Sequence, residues 1–476
     1  MKRFVEGTCV DYTFDGQGVV KLSDGKPLFV PGMIKGEVGV ISFVETNKSF
    51  YNGKLERFTS LSPSREIPKC LLYSFCGGCQ IMHMSYIEQC AFKTHYVEET
   101  LKRIGGIDNI VVNPIVKNPN PFKYRNKVQV AYSKDFKGRI CGGFYMEGTN
   151  KVVNRDSCYL EDEKADEVSL YFRSLIEEYK VDPYDKGTQS GFIKNLLVRT
   201  SSLGEVMVVI VTKGKSIPHK QEIVKKLVKR FPCIKSIVHN INPSSSQGII
   251  LGKEEYVIYG QGYINDILCG LKFKISPKSF FQINHDQTEN LYNYAIKMAG
   301  LTGKETVLDA YCGIGTIGLI ASKKAKAVVG VEIVEDAIIN AKENAIINNI
   351  TNTTHYALDA TKFILEEEKK NNRFDVVFID PPRGGCDEAF LNSLIKTKPD
   401  RIVYISCNPS TLARDLKLLK EVYDINDVQP FDMFSQTYHV ESVVCLTRKN
   451  TVEPKCSCLN SISGNCLNSS NGNIVQ

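Results

Sequence analysis

The feature that most constrains the fold is an alternation of apolar runs and helical segments between about residues 275 and 449. Within it, ETVLDAYCGIGTIGLIAS (305–322) indicates a strand, a glycine-rich turn and the start of a helix. Strands that alternate with helices in this way form a parallel sheet covered by helices on both faces. The sequence therefore predicts a doubly wound α/β domain in this part of the chain.

The glycine-rich turn GIGTIG (313–318) fits the pattern G-x-G-x-x-G, which lets the backbone approach a nucleotide cofactor closely. The pattern suits NAD as well as S-adenosylmethionine. Asp309, before the turn, can anchor it and bind a cationic amino-acid group. Glu332 ends the next strand, where a carboxylate can bind both ribose hydroxyls, and Asp359 follows the third strand, near the expected adenine. Together with the motifs below, these carboxylates favour S-adenosylmethionine.

The fourth predicted strand runs into IDPPRGG (379–385). Asp-Pro-Pro forms a rigid loop that can hold a polar group against a reacting methyl group. Amine methyltransferases typically have an aromatic residue after the two prolines, whereas this chain has Arg383, which argues against an exocyclic amine as target. The alternative is a helix that begins with proline and has no catalytic role.

Cys407 follows the fifth predicted strand in YISCNPSTLARD (404–415), immediately before a predicted helix start. Ligands of parallel sheets bind beyond the carboxyl ends of the strands, and a helix N-terminus favours thiolate over thiol. We therefore interpret Cys407 as a candidate nucleophile, with an inert core cysteine as the alternative.

A thiolate beside a methyl donor suggests one particular chemistry. Its addition to carbon 6 of uracil makes carbon 5 nucleophilic, and a base must later remove the carbon-5 proton. Glu441 is the candidate base, with His439 on the same face of a predicted strand. An exposed strand residue without a catalytic role is the alternative for Glu441.

Taken in order, these motifs resemble the RNA uracil-5 methyltransferases. The matching segments are FFQIN (280–284), LDAYCGIGTIGL (308–319), VVGVE (328–332), IDPPRGG (379–385), YISCNPSTLARD (404–415) and HVES (439–442), and YRNKVQV (124–130) is similar to the family's central domain. The resemblance implies Cys407 as nucleophile and Glu441 as base. It also implies contacts to S-adenosylmethionine from Gln282, Tyr311, Thr316, Glu332, Asp359 and Asp380.

A cysteine cluster, KCLLYSFCGGCQ (69–80), has the spacing C-x5-C-x2-C, and Cys158 is a candidate fourth member. Thiolates spaced in this way can hold an iron–sulfur cluster or zinc. Ribosomal-RNA members of the resembled family carry this pattern with a distant fourth cysteine. The resemblance therefore implies a structural [4Fe–4S] cluster on Cys70, Cys76, Cys79 and Cys158, with zinc or no metal as alternatives.

The remaining sequence predicts the domain organisation. Residues 1–60 alternate short apolar runs with turns, which predicts a small OB-like β-barrel; they resemble the TRAM barrel of the ribosomal-RNA branch and are expected to bind RNA. Residues 61–275 predict a central α+β domain. Its segment 113–155 has nine Lys and Arg against two acidic residues, with interleaved aromatics, which suits single-stranded RNA. A solvated cationic face is the alternative. Residues 276–450 form the predicted methyltransferase domain.

The tail, 451–476, is rich in Ser and Asn and is expected to be disordered. Its three cysteines are interpreted as adventitious thiols. They are Cys456, Cys458 and Cys466.

Composition limits the protein class. Sixteen cysteines scattered over 476 residues favour reduced thiols over a secreted disulfide framework. No apolar run approaches the roughly 18 residues that span a bilayer, and the opening MKRFVEGTCVDY lacks a signal-peptide core. We expect a cytoplasmic monomer, without membrane contact or an obligate protein partner, that methylates carbon 5 of uridine in 23S ribosomal RNA. The alternatives are a transfer-RNA uridine methyltransferase, a non-catalytic iron–sulfur RNA-binding sensor and an NAD oxidoreductase.

Overall fold

The computed structural model describes residues 3–45, 48–244 and 248–449. The tail 451–476, with its predicted disorder and its three cysteines, lies outside the described residues.

The N-terminal strands close into a small barrel. They are β1 (Arg3–Tyr12), β2 (Gly18–Lys21), β3 (Pro27–Val30), β4 (Val38–Glu45) and β5 (Tyr51–Ser60). Their order around the barrel is β1-β2-β3-β5-β4. Val20, Leu28 and Ile41 fill the interior, because alternate side chains of each strand point inward. The barrel predicted for this region is present, and its RNA-binding role stays a prediction.

The central part is built on a mixed seven-stranded sheet. Its elements are α1 (Tyr86–Arg103), β6 (Lys127–Lys134), β7 (Ile140–Tyr145), β8 (Val152–Asn154), α2 (Glu163–Glu178), β9 (Ile193–Thr200), β10 (Val206–Thr212), α3 (Lys220–Arg230), β11 (Ile234–Ile241) and β12 (Glu254–Gly260), followed by the hairpin β13 (Ile264–Leu268) and β14 (Leu271–Ile275). The sheet order is β12-β11-β10-β9-β6-β7-β8. Phe172 of α2 and Leu227 of α3 pack on one face, while Leu197 and Met207 on the other face share a core with the C-terminal domain.

Part of the positive charge expected to contact nucleic acid is buried in this domain. Arg155 is 4% exposed and forms ion pairs with Glu161 and Asp166. Burial, followed by the charge of Arg199, lowers the pKa of Lys127 to about 8. The interpretation of the whole segment 113–155 as an RNA-contacting surface is therefore wrong for Arg155, because the fold pairs this cation internally, and it stays a prediction for half-buried Lys127.

The C-terminal domain is doubly wound, as the sequence predicts. Its elements are α4 (His285–Ala299), β15 (Thr306–Ala310), α5 (Thr316–Ser322), β16 (Ala327–Glu332), α6 (Glu335–Ile347), β17 (Thr353–Ala357), α7 (Ala360–Lys369), β18 (Val376–Ile379), α8 (Glu388–Thr397), β19 (Arg401–Ser406), α9 (Pro409–Leu419), β20 (Tyr423–Phe431) and β21 (Glu441–Arg448). The strand order is β17-β16-β15-β18-β19-β21-β20. The first five strands in this order are parallel, and β21 runs antiparallel between β19 and β20.

The topology predicts where a ligand binds. From β15 the chain winds first toward β17 and then, through β18, toward β19. Ligands of such sheets bind at this reversal, beyond the carboxyl ends of the strands. The glycine-rich turn after β15 and the Asp-Pro-Pro loop after β18 both lie there.

Candidate active site

Five candidate residues lie on one face of the sheet, at the carboxyl edge of its parallel strands. Val307, Phe378 and Ile405 pack in a single core beneath this face. Successive side chains alternate between the faces of a strand, so residues two places further along lie on the same side. This pattern places five residues together, among them the last residue of β16 and the first residue of β21. They are Asp309, Glu332, Asp380, Cys407 and Glu441.

Two of these carboxylates hold the glycine-rich turn. Asp309 Oδ2 accepts a hydrogen bond from Gly318 N (2.7 Å), and Glu332 Oε2 accepts one from Gly313 N (3.2 Å). A Cβ at position 318 would lie 2.8 Å from Asp309 Oδ2, so only glycine allows this close approach. Gly315, at φ +82°, caps α5 in the left-handed region. The predicted anchoring of the turn by Asp309 is confirmed, and its contact with a cationic amino-acid group stays a prediction.

The cleft beside this turn is rich in carboxyl groups. Asp309 Oδ1 is buried and has no hydrogen-bond partner within the described part of the chain. Burial, with the charges of Asp380 and Glu332, raises the pKa of Asp309 to about 8. Burial also raises the pKa of Asp380 to about 7. Crowded carboxyl groups of this kind are stabilised by a bound cation, and the sulfonium and ammonium groups of S-adenosylmethionine are cations, so the residues present fit that cofactor.

The other predicted cofactor residues surround the same cleft. Thr316 is the first residue of α5. Burial raises the pKa of the Tyr292 hydroxyl, and hydrogen bonds with Thr316 and Gln282 oppose this rise, which places both side chains at one hydroxyl. Tyr311 lies immediately after β15 with φ +66°. This left-handed conformation is strained for a tyrosine and is a feature that clusters at functional sites.

Asp359 has a local structural role. Its Oδ1 accepts a hydrogen bond from Lys362 N (3.0 Å), which caps the N-terminus of α7. The charge of Asp359 also raises the pKa of Tyr311, although burial has the largest effect on that pKa. Its predicted contact with the adenine stays a prediction.

Cys407 and Glu441 are neighbours across two antiparallel strands. The last paired residues of β19 and β21 are Ser406 and Ser442, so the next residue on each side is Cys407 and Glu441. Glu441 is 3% exposed. Burial, followed by the charge of Asp380, raises the pKa of Glu441 well above its usual value.

The pKa of Cys407 is raised in the chain alone, opposite to the direction expected from its position before a helix. Burial, then the charges of Glu441 and Asp380, raise the pKa of Cys407 to about 12, against an opposing effect of Arg383. The side chain of Asn408 already accepts the hydrogen bond from Ser410 N (3.1 Å) at the start of α9. The thiol is therefore the stable form here, because burial and nearby carboxyl groups outweigh the helix N-terminus.

Helix α9 also fixes the Asp-Pro-Pro loop. Asn408 Nδ2 and Thr411 Oγ1 both donate to the carbonyl oxygen of Arg383, at 3.0 and 3.3 Å. Arg414 Nη2 donates to the carbonyl oxygen of Gly384 (3.0 Å). Side chains three residues apart share one helix face, so this face of α9 binds the loop backbone next to Cys407.

A buried carboxylate completes this attachment. Asp415 Oδ2 accepts hydrogen bonds from Cys386 N (2.9 Å) and Tyr404 Oη (2.7 Å). Sequence reasoning assigned no role to Asp415 or Arg414. Their place in the TLARD segment directly after Cys407 and their spacing on one helix face were the available signals.

His439 lies in the same region but is not charged at neutral pH. Burial, then the charges of Arg383 and Lys93, lower its pKa to about 4. Its ring contacts the rings of Tyr438 and Phe434. It therefore contributes a neutral surface next to Glu441.

The four predicted metal-binding cysteines line one small cavity of about 30 Å³, although they come from distant parts of the sequence. They are Cys70, Cys76, Cys79 and Cys158. Burial raises the pKa of Cys79 to about 12, while Arg125 lowers it. Across residues 3–45, 48–244 and 248–449, however, no three or more His, Cys, Asp or Glu side chains are arranged so that they could hold a metal ion. The structure thus brings the four thiols around one space without forming a site for a single ion.

The fold and the cleft define an S-adenosylmethionine-dependent methyltransferase with an α/β catalytic domain. The sequence profile of the tRNA (uracil-5-)-methyltransferase family matches residues 192–449. The chain belongs to this family, and the predicted resemblance is confirmed.

Relatives of similar length support the assignment. An uncharacterized RNA methyltransferase of Clostridium tetani is 43% identical over 434 residues, covering 91% of this chain and 94% of the relative. One from Halalkalibacterium halodurans is 42% identical and covers 94% of this chain and 97% of its own length. The crystal structure of the Pyrococcus abyssi tRNA (uracil-54, C5)-methyltransferase in complex with S-adenosyl-L-homocysteine is similar, with a TM-score of 0.73 and 29% identity, covering 93% of this chain and all of that one.

None of the helices in the described ranges has the length and apolar character needed to cross a membrane.

Proposed function

We propose that this chain transfers a methyl group from S-adenosylmethionine to carbon 5 of a uridine in 23S ribosomal RNA, with Cys407 as covalent nucleophile and Glu441 as base. The observation that carries the proposal is the position of Cys407 beside Glu441, on the face of the sheet that also bears Asp309 and Asp380. A nucleophile, a base and an anionic cleft for a cationic methyl donor are the parts that this reaction needs.

The thiol of Cys407 and the carboxyl group of Glu441 first release their protons to solvent when the cationic methyl donor is bound. The thiolate of Cys407 then bonds to carbon 6 of uracil, and the electron pair of the 5,6 double bond moves toward carbon 5 and oxygen 4. Carbon 5 then takes the methyl group, which S-adenosylmethionine supplies as an electrophile. The carboxylate of Glu441 removes the carbon-5 proton, the double bond forms again and the bond from Cys407 to carbon 6 breaks. Solvent takes the proton from Glu441, and the products are 5-methyluridine and S-adenosylhomocysteine.

The chain's residues have separate roles in binding the methyl donor. In this proposal Asp309 and Asp380 face its cationic groups, and Glu332 binds the ribose hydroxyls. Thr316 and Gln282, which meet at Tyr292, close the opposite side. Further contacts are proposed for Tyr311 and Asp359.

We also propose that the four-cysteine cavity holds a structural [4Fe–4S] cluster. Several metal atoms occupy more space than one ion, so thiols around a common cavity are compatible with a cluster even where they do not surround a single ion. Half-buried Arg125 lines the cavity and lowers the pKa of Cys79, which favours the thiolates that a cluster requires. Iron and acid-labile sulfide analysis of anaerobically purified protein tests this, with the Cys79→Ser variant as control. Zinc content without sulfide would contradict it.

Transfer RNA is the second candidate substrate, because the similar Pyrococcus abyssi structure is named for a tRNA uracil. That structure aligns with 93% of this chain, so overall architecture does not separate the two substrates. The cysteine pattern, through its resemblance to the ribosomal-RNA branch, supports 23S RNA. Mass-spectrometric mapping of 5-methyluridine in both RNAs, from strains with and without the gene, tests the choice; loss confined to tRNA would overturn it.

Trapping tests the covalent step. RNA that contains 5-fluorouridine should form a stable adduct after methyl transfer, because fluorine at carbon 5 cannot leave as a proton. Peptide mapping should identify Cys407 as the attached residue. Cys233→Ser, a thiol remote from the cleft, is the matched control and should trap normally, whereas an adduct in Cys407→Ala would contradict the proposal.

A further inference from the structure

A cavity of about 310 Å³ lies on the central sheet, outside the catalytic cleft. We call it the tyrosine cavity. The residues that define it are Ser133, Tyr145, Tyr184, Lys194 and Asn195.

The tyrosine cavity is on the face of the central sheet that meets the catalytic domain. Asn195 pairs with Val211 on β10 and lies two residues from Leu197. Leu197 and Val211 belong to the core shared with the catalytic domain, so Asn195 is on their face. Ala131 pairs with Asn195, which places Ser133 on this face as well.

Tyr145 connects this cavity to the catalytic region. It lines the tyrosine cavity and also a second cavity of about 330 Å³, whose lining includes Arg125, Thr437 and His439. His439 is two residues before Glu441. A continuous surface therefore leads from His439, past Tyr145, to the tyrosine cavity.

The lining, together with Lys213 behind it, has the chemistry of a nucleotide site. Lys213 is not itself a lining residue, but its Nζ lies 5.2 Å from the centre of the ring of Tyr184, which is. Lys194 Nζ donates to the carbonyl oxygen of Asn242 (3.2 Å), and Lys213 Nζ donates to that of Pro243. These acceptors are neutral carbonyls, so they leave the positive charge of both lysines available to an anion. Burial, then the charge of Lys213, lowers the pKa of Lys194, as expected for two cations close together.

The lining has one acidic residue, Asp185, against two lysines, Lys186 and Lys194. Asp185 Oδ1 accepts hydrogen bonds from Thr188 N (2.7 Å) and Thr188 Oγ1 (2.9 Å), which hold this carboxylate in its own turn, and the cations are in excess. Aromatic rings stack on unpaired bases, and cations bind the adjoining phosphates. The volume is at the lower end of the range for small-ligand pockets, which suits a single nucleotide.

We propose that the tyrosine cavity binds one unpaired nucleotide of the RNA substrate, on the strand that leads away from the target uridine. Tyr184 and Tyr145 stack on the base, Asn195 and Ser133 contact its edge, and Lys194 and Lys213 bind the phosphates. The proposal rests on the RNA substrate of the proposed function. It adds a contact point that is separate from the methyl-transfer chemistry.

Binding of a fluorescein-labelled oligouridylate about 12 nucleotides long, measured by anisotropy, tests this site. Tyr184→Ala should weaken binding about tenfold, because stacking contributes roughly 1–3 kcal/mol per base. Tyr184→Phe should bind like the wild type, since it keeps the ring. Tyr256→Ala removes an exposed tyrosine on β12 and should have no effect. Equal affinity of Tyr184→Ala and wild type would overturn the proposal.

A second measurement separates the charge from the ring. Lys213→Ala should reduce the slope of log affinity against log salt by about 0.7, the value for one phosphate contact on a single strand. Lys225→Ala, on the exposed face of α3, should leave the slope unchanged. An unchanged slope in Lys213→Ala, or equal affinity for a double-stranded RNA, would contradict the assignment.

The proposed nucleotide site and the proposed methyl-transfer mechanism can be tested separately. Anisotropy needs no methyl donor and no turnover. If 5-fluorouridine RNA gives no Cys407 adduct while Tyr184→Ala still weakens binding, the nucleotide site is supported and the proposed mechanism is contradicted. If the adduct forms and Tyr184→Ala binds normally, the mechanism is supported and the nucleotide site is contradicted.

Discussion

Glu441 follows Cys407 far along the sequence, yet the two lie next to each other, because Ser406 and Ser442 are the last register pair between β19 and β21. The charge of Glu441 raises the pKa of Cys407, and the charge of Asp380 raises the pKa of both residues. Both shifts favour the neutral forms of the two residues in the chain alone. A cation in the cleft would change this balance.

Replacing the proposed base separates the two halves of the reaction. Glu441→Gln keeps the size of the side chain but cannot accept the carbon-5 proton. Turnover should fall by about 10²–10⁴-fold, the usual contribution of a general base. The Cys407 adduct should accumulate on ordinary RNA, because the step that breaks it is blocked. Denaturing gels of radiolabelled RNA measure both effects; normal turnover in Glu441→Gln would exclude it as the base.

Alkylation of Cys407 should depend on pH and on the charge of the ligand. With a pKa of about 12 in the chain alone, its rate with iodoacetamide should rise about tenfold per pH unit between pH 7 and 10, since only thiolate reacts. Sinefungin, which carries an amine in place of the sulfonium, should lower this pKa and speed alkylation. S-adenosylhomocysteine, with a neutral sulfur, is the matched control. Peptide mapping resolves the individual cysteines, and equal rates with both ligands would contradict the electrostatic account.

Stability of the ligand-free chain should fall as pH rises. The pKa of Asp309 is about 8 in the folded chain, against about 3.9 for an unperturbed aspartate. The folded state thus binds this proton more tightly than the unfolded state does. The protonated carboxyl group therefore adds to the free energy of unfolding fully below about pH 4, and this stabilisation is lost as pH rises toward 8.

The Asp309→Asn variant tests the sign of this effect. Its amide oxygen can still accept the bond from Gly318 N, but it does not titrate. Urea unfolding between pH 5 and 8 should therefore show a flatter pH dependence than in the wild type. Asp424→Asn, on the exposed side of β20, should behave like the wild type. A steeper profile in Asp309→Asn would refute the assignment.

Asp415 should act as a positioning residue. Asp415→Asn keeps one acceptor oxygen but weakens the bonds from Cys386 N and Tyr404 Oη that fix the loop beside Cys407. We expect kcat to fall roughly 10- to 100-fold, because small misplacements of reacting groups have effects of this size. KM for S-adenosylmethionine should change little. The Asp415→Glu variant should have less activity than the wild type. An equal loss in kcat and in the folded fraction would indicate a purely structural role.

The sequence predicted the location of the site better than its energetics. Cys407, Asp380 and the glycine-rich turn each lie inside a short motif after a strand, and parallel topology brings strand ends to one edge. The raised pKa of Cys407 could not be read in this way, because it depends on Glu441 and on burial. The ion pairs of Arg155 and the hydrogen bonds of Asp415 were missed for the same reason: their partners come from other elements.

The insertion of β21 between β19 and β20 also bears on synthesis. A chain emerging from the ribosome exposes Cys407 well before residues 441–448 have left the exit tunnel. Until that segment pairs with its two neighbours, β19 and β20 lack the strand that joins them, and Cys407 lacks Glu441 beside it. In the proposed mechanism, methyl transfer therefore begins only after this last strand of the sheet has formed.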